Sequence, residues 1–296
     1  MAAISPTPEV TIGLPVRNAA ATLEVAILSV LSQTFQSWRL LVVDDGSTDR
    51  TREIAKAFSR HDSRIELIQG QTSRGLAARL NEISALSETP YLARMDGDDI
   101  MHPARLQRQV EVLESNPGID LVSTGAYVID SAGRLVGKRI PQGAHTVAEV
   151  LRNGGLFIHP TVTARTEWFR QNPYDEALLR CQDLDLWCRI VEQRRWMILN
   201  EPLLFYREDL TRTESYRRSV RARISVVRRY GEKHLGMLGT SLLLAKLRFR
   251  ALAVIALSRL GFGSIVRRGR NRSPESSDFA SADRAMALAL AGRPHD

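Results

Sequence analysis

The chain has 296 residues, 44% of them hydrophobic and 25% charged, with a net charge of +8 and two cysteines. That is ordinary globular composition, and the length suffices to bury a core without disulfides. Cys181 and Cys188 are seven residues apart in one predicted helix, about 10 Å along its axis, too far for a disulfide and unlike a zinc pair. Residues 1–9 lack the basic-then-apolar order of a secretory signal, and no window of about 20 residues is free of charge, which argues against a spanning helix. These features point to the cytoplasm. The basic charge is localised: residues 215–272 hold 15 Lys or Arg and one acid, Glu232. They therefore carry +14 and leave −6 for the rest. Such a patch suits an anionic membrane surface or another polyanion.

Residues 10–14 (VTIGL) form an apolar run before Pro15 and read as a buried strand. Residues 20–33 follow at helical spacing. Residues 39–43 (RLLVV) are a second strand ending in Asp44, Asp45 and Gly46, and Ser47 or Thr48 starts a helix through 58. A strand at 65–68, a helix at 75–86, a strand at 91–95 and a helix at 104–114 complete an alternating series. Strands apolar throughout, alternating with helices, imply a parallel sheet covered on both faces. Further strands are expected at 121–129, 157–164 and 203–207, with a turn at 130–133 and a helix at 182–193. From about 211 the pattern becomes a basic amphipathic helix in which Tyr216, Val220, Ile224 and Val227 recur at three and four. A more apolar stretch, 238–266, follows. The tail from 267 is polar and reads as disordered, apart from an Ala-rich piece at 281–291.

Ligands of a parallel α/β sheet bind outside the carboxyl ends of its strands. Three of these ends carry polar groups: Pro15, Arg17 and Asn18; Asp44 and Asp45; and MDGDD at 95–99. Three carboxylates in four residues repel one another unless a cation or several donors lie among them. A hard divalent ion held by Asp98 could bridge a diphosphate; the bland alternative is a solvated acidic turn. In DDGSTD at 44–49, turn and cap chemistry explains Gly46 to Asp49, while one of the two acids could accept a nucleobase imide N–H. In CQDLDLWCR at 181–189, Asp183 and Asp185 cannot share a helix face. Asp183 at the helix start could deprotonate an acceptor hydroxyl, or simply answer the helix dipole. His159 in FIHPT is either structural or part of the site.

Taken in order, these motifs resemble the family 2 glycosyltransferases of the GT-A fold. The resemblance runs from about Val10 to Arg207. It rests on VTIGLPVRNAAATLEVAILSVLSQTFQSWRLLVVDDGSTDRT, RGLAARLNE at 74–82, YLARMDGDDIMHPARLQRQ at 91–109, FIHPTVTAR at 157–165 and QDLDLWCRI at 182–190. It implies an α/β GT-A domain over 1–212, with a mostly parallel sheet, helices on both faces, a Rossmann-like nucleotide-binding half at about 8–115 and an acceptor half at about 116–212. A basic helical extension, 213–266, and the tail 267–296 would follow. By the resemblance, Pro15 and Arg17 line the nucleotide pocket, Asp45 contacts the base, Asp96 lies near the ribose, Asp98 binds Mn²⁺ or Mg²⁺, and Asp183 is the catalytic base. His159, Arg79 and Asp99 are candidates to line the site. The family's Glu-Asp is Gln182-Asp183 here, and its Tyr-Asn is Arg17-Asn18.

The implied activity is inverting transfer of a sugar from a nucleoside-diphosphate donor, uridine by family frequency, to a hydroxyl of a glycan or lipid-linked acceptor in surface-polysaccharide synthesis. The extension 215–266 would lie on the inner membrane face, or else pack on the domain with its basic face solvated. A catalytically inactive binding or scaffold protein on the same fold is the rival reading. A dinucleotide-dependent oxidoreductase needs glycines after strand one that LPVRNAA lacks. A sugar nucleotidyltransferase would carry a Gly-rich, Lys-bearing loop there, also missing. No nucleic-acid recognition module is recognisable, so no specific nucleic-acid partner is expected.

Overall fold

The computed structural model describes residues 8–208, 213–259 and 273–291. The predicted alternation holds through the first half: β1 (Val10–Val16), α1 (Leu23–Leu31), β2 (Trp38–Asp44), α2 (Thr51–His61), β3 (Ile65–Gln69), α3 (Leu76–Leu86), β4 (Tyr91–Arg94), the two-residue β5 (Ile100–Met101) and α4 (Arg105–Ser115). The second half holds β6 (Leu121–Ile129), β7 (Leu135–Arg139), α5 (Val147–Asn153), β8 (Thr163–Arg165), α6 (Thr166–Gln171), α7 (Gln182–Ile190) and β9 (Trp196–Arg207). Two C-terminal helices follow, α8 (Thr213–Arg259) and α9 (Ser276–Leu290).

The strands form one mixed sheet in the order β3-β2-β1-β4-β8-β6-β9-β5, with β7 paired to β6. β1, β2, β3 and β4 are parallel, as are β6 and β9. β8 enters antiparallel between β4 and β6 and reverses the sheet there. The parallel portion explains the uninterrupted apolar runs, because both of its faces are buried. Alternate residues of β2 divide between two cores: Leu40 and Val42 join α1 and α4, whereas Leu41 and Val43 join α3, α5 and α7. Truncating Leu40 or Leu41 to alanine would cost on the order of 2–5 kcal/mol.

Several sequence expectations need correction. Residues 157–164 are not a strand: His159–Thr161 form a 3-10 turn and only Thr163–Arg165 pair. Pro160, which has no N–H to give a ladder, sits in that turn. The helix expected from Ser47 begins at Thr51, because Ser47 Oγ and the Thr48 N–H are bonded to Asn18. The helix at 182–193 ends at Ile190 and tightens into a 3-10 turn. The last strand starts at Trp196, seven residues earlier than expected, and its register shifts twice against β6.

The basic extension is not one straight helix. Gly236 (φ 70, ψ 171) breaks it, and Gly231 packs directly against Thr240, so the two segments lie against each other. Val226, Val227, Leu243 and Leu247 join the domain core. No described helix is long and apolar enough to cross a membrane. Of the tail, Ser276–Leu290 is a helix that takes in the Ala-rich piece expected at 281–291 and the five residues before it, while 267–272 and 292–296 lie outside the described residues. This helix, α9, starts with a reciprocal cap between Glu275 and Asp278. Its Ala282, Ala285 and Ala289 lie on Ile100, Tyr127, Ile129 and Phe205. Small side chains let the helix approach closely, so its apolar signal in the sequence is weak.

Candidate active site

The ends of β1, β2 and β4 converge, as the motifs predict. The Asp45 N–H donates to the Val16 carbonyl at 2.8 Å. Gly97 lies so close to β1 that a Cβ there would be 2.7 Å from Val16 Cγ1, and Thr22 Oγ1 donates to the Gly97 carbonyl at 2.8 Å. Only glycine allows the acidic loop to pass this near the strand end.

Pro15 is buried in β1, and Arg17 is exposed beyond it. Arg17 Nη1 donates to Ser73 Oγ at 2.9 Å, and that hydroxyl donates to Asp45 Oδ2 at 2.6 Å. Asp45 also accepts from the Arg74 and Gly75 N–H groups and from Arg79 Nε at 2.8 Å. Burial tends to raise its pKa, but these donors hold the carboxyl below its ordinary range. The four donors fill both oxygens, so Asp45 reaches a base only by exchanging one of them. Arg79 is buried and also bonds Glu82 and the Thr72 carbonyl; it braces the pocket wall. Asp44 is buried beneath, held by Arg52 Nε at 2.8 Å.

In the acidic loop, carboxylate oxygens of Asp96, Asp98 and Asp99 lie within 4.8 Å of one another. Asp98 is exposed at the mouth, Asp96 half-buried and Asp99 buried. The surrounding protein and the Asp96 charge push Asp98 up to about 6. Burial and both neighbouring charges push Asp99 well above its ordinary value. Asp99 Oδ1 accepts the Arg207 N–H at 2.9 Å, while its Oδ2 is buried with no partner. Crowded carboxylates with an orphaned oxygen suit a hard divalent cation. Asp98, singled out from the sequence, is thus one of three candidate ligands.

Two arginines that the sequence reading missed hold this loop. Arg94, buried in β4, pairs with Asp96 at 2.6 Å. Burial opposes its charge, but Asp96, Tyr174 and Asp99 keep it protonated. Arg207, from the end of β9, donates its Nε to the Asp98 carbonyl at 2.9 Å. Arg94 directly precedes the motif and was legible in principle; nothing local marks Arg207.

Asp183 occupies the first turn of α7, half-buried. Burial raises its pKa, partly offset by the Leu184 N–H and by Arg94, and Asp96 raises it further. The candidate base therefore shares an electrostatic environment with the acidic loop. His159 is buried at 2.8 Å from the Tyr174 hydroxyl and edge-on to Trp187. Burial, with Arg94 nearby, keeps its imidazole neutral, and its contacts are those of a packing residue beneath the site.

A sequence model of "Glycosyl transferase family 2" matches residues 11–174. A Bacillus subtilis (strain 168) protein named as a glycosyltransferase, EpsE, is 37% identical over 209 residues, covering 68% of this chain and 74% of its own. The Escherichia coli "UDP-Glc:alpha-D-GlcNAc-diphosphoundecaprenol beta-1,3-glucosyltransferase WfgD" is 32% identical, covering 64% and 73%. Among solved structures, Staphylococcus aureus TarS 1-349 in complex with UDP-GlcNAc aligns with a TM-score of 0.57 at 16% identity, covering 95% of this chain and 81% of that one. The mannosyltransferase PcManGT of Pyrobaculum calidifontis, in complex with GDP-Man and Mn²⁺, aligns with a TM-score of 0.58 at 16% identity, covering 96% and 86%. The chain belongs to glycosyl transferase family 2 and is a glycosyltransferase of the GT-A fold.

Proposed function

We propose that the chain is an inverting, metal-dependent transferase. It takes a sugar from a uridine-diphosphate donor to a hydroxyl of a glycan or lipid-linked acceptor in surface-polysaccharide synthesis. The observation that carries this reading is the cluster of Asp96, Asp98 and Asp99, with its orphaned oxygen, in electrostatic contact with Asp183. The neighbour solved with UDP-GlcNAc and the relative named for a diphosphoundecaprenol-linked acceptor support the substrate classes.

Asp96, Asp98 and Asp99 would hold Mn²⁺ or Mg²⁺, which when bound neutralises charge on the donor's diphosphate. Asp183 takes the proton from the acceptor hydroxyl. That oxygen attacks the anomeric carbon opposite the leaving group, the bond to the diphosphate breaks with its electrons, and the configuration inverts. Pro15, Arg17 and the Ser73–Asp45 network shape the nucleotide pocket. The raised Asp183 keeps a proton acceptor whose strength lies closer to neutrality than that of an ordinary carboxylate.

The test is hydrolysis of a panel of nucleotide sugars by the purified protein, with Mn²⁺ and with a chelator, beside Asp98→Ala. Slow release of one nucleoside diphosphate, lost with chelator and in the variant, is expected. Absence of metal-dependent binding of any nucleotide sugar would remove the reading.

We further place the enzyme at an anionic membrane surface, through one part of the extension only. Past Gly236, Leu243 and Leu247 join the domain core and Val254 is buried, while Leu238, Leu242, Phe249 and Leu252 are each more than 60% exposed. Their spacing of four, seven and three makes one stripe on the helix, flanked by exposed Lys246, Arg248 and Arg250. A second copy on this stripe would bring like charges together, whereas anionic headgroups complement them. Residues 260–266 lie outside the described structure.

A further inference from the structure

α7 is short and poorly anchored by its own sequence. It spans nine residues, and it begins after Cys181, held at φ 58 with no side-chain cap. Such a helix depends on tertiary contacts for its orientation, yet its first turn bears Asp183. Asp185, two residues on, points the other way and is 1% exposed.

A carboxylate buried this deeply is costly unless fully paired. Asp185 is fully paired, mainly from the C-terminal extension. Arg229 Nη1 donates to Asp185 Oδ1 at 2.8 Å and Tyr230 Oη to the same oxygen at 2.9 Å, while Arg189 Nε holds Oδ2 at 3.0 Å. Arg229 Nη1 also donates to Asp175 Oδ2 at 2.8 Å. Arg189 Nη2 reaches the Pro173 carbonyl at 2.7 Å. Between those two anchors lies Tyr174, whose hydroxyl meets His159. Burial and the Asp185 bond push the Tyr230 phenol up to about 12, so it remains a donor. One arginine of the extension thus ties together the base helix and the loop that packs behind the site.

We propose that Arg229, through Asp185 and Asp175 and assisted by Tyr230, is a positioning residue that sets the place of the Asp183 carboxylate. The proposal rests on Asp183 being the base. It gives the first segment of the basic extension an inward, catalytic purpose distinct from the outward stripe past Gly236. Arg229 touches none of the residues that form the nucleotide pocket, so its loss acts on turnover and not on donor binding.

The experiment compares Arg229→Ala, Arg229→Lys and Asp183→Asn in the full chain, using the UDP-sugar that the donor panel identifies. Arg229→Ala is expected to lower kcat by about 10- to 100-fold, the range that a misplacement near 1 Å produces. KM for the donor and the affinity for UDP, read by calorimetry, stay unchanged. Lysine restores part of kcat, because a single nitrogen makes both carboxylate contacts. Amide hydrogen exchange over 182–190 is read in parallel and keeps the proposal testable without turnover: faster exchange in Arg229→Ala is expected, and unchanged exchange overturns it. Unchanged kcat in Arg229→Ala beside an inactive Asp183→Asn overturns the positioning role alone. A fall in UDP affinity matching the fall in kcat overturns it as well, by showing general damage. Full activity in Asp183→Asn removes the base assignment, and the positioning role falls with it.

Discussion

At the scale of single residues, the site is built from acids whose surroundings differ. Asp45 accepts four donors and is held below its ordinary range, whereas Asp183 has few donors, is crowded by protein and stands above it. The first suits a permanent structural charge and the second a proton acceptor. As the proposed base, Asp183 must be ionised for transfer, so the rate is expected to fall as pH drops through its raised pKa. The acid limb of kcat/KM is therefore expected above pH 3.8, the unperturbed value. A profile flat down to that pH would exclude Asp183 as the titrating base. Beneath the acidic loop, Arg105 is wholly buried without a carboxylate bonded to it. It spends Nη2 on the Arg94 carbonyl at 2.8 Å and Nε on Gln109. Burial and the Arg94 charge depress it to about 9. Gln109 in turn donates to the Val122 and Thr161 carbonyls. The loop bearing the acids is thus hung from a buried hydrogen-bond network, and its geometry is set from below.

At the scale of elements, α9 supplies what the edge of the sheet lacks. Its alanine stripe covers Ile100 and Phe205, and Asp278 pairs with Lys138 at 2.8 Å. Ala285→Asp places an unpaired charge in this contact and is expected to cost about 1–3 kcal/mol, lowering the melting temperature by several degrees. An unchanged melting temperature would mean that α9 does not dock. β5 was not legible in the sequence, and of α9 only an Ala-rich piece at 281–291 stood out. A two-residue strand has no periodicity, and an alanine face reads as neutral. What was legible was local: the apolar runs of β1, β2 and β4, and the acids placed directly at the ends of β2 and β4. Arg207 and Arg229 were invisible because their partners lie 108 and 44 residues away. A lone histidine such as His159 reads more often as structural than as part of a site, and its contacts with Tyr174 and Trp187 fit the structural reading. The turn at His159 was misread as a strand because Phe157, Ile158 and Val162 are buried for tertiary reasons.

At the scale of the whole molecule, the charge asymmetry has a direction. The +14 of residues 215–272 is divided: Arg223 and Arg229 turn inward to carbonyls and carboxylates, while Lys246, Arg248 and Arg250 stay outside. Purified protein is expected to float with vesicles containing phosphatidylglycerol at low salt, and not with phosphatidylcholine alone. Neutralising Lys246, Arg248 and Arg250 to glutamine removes about 1 kcal/mol each, roughly a hundredfold in binding. Phe249→Ser weakens it without changing the net charge. No flotation at low salt would sink the membrane assignment, and equal retention by RNA with no vesicle binding would point to a generic polyanion surface. The position of α9 bears also on how the protein is made. Ser276–Leu290 leaves the ribosome after every residue it covers, so a nascent chain carries Ile100, Tyr127 and Phe205 bare while the acids beside them are already in place. The strand following the acidic loop therefore gains its cover only once residues 276–290 have been made, and a chain stalled before residue 276 would expose a sticky sheet margin to chaperones and proteases.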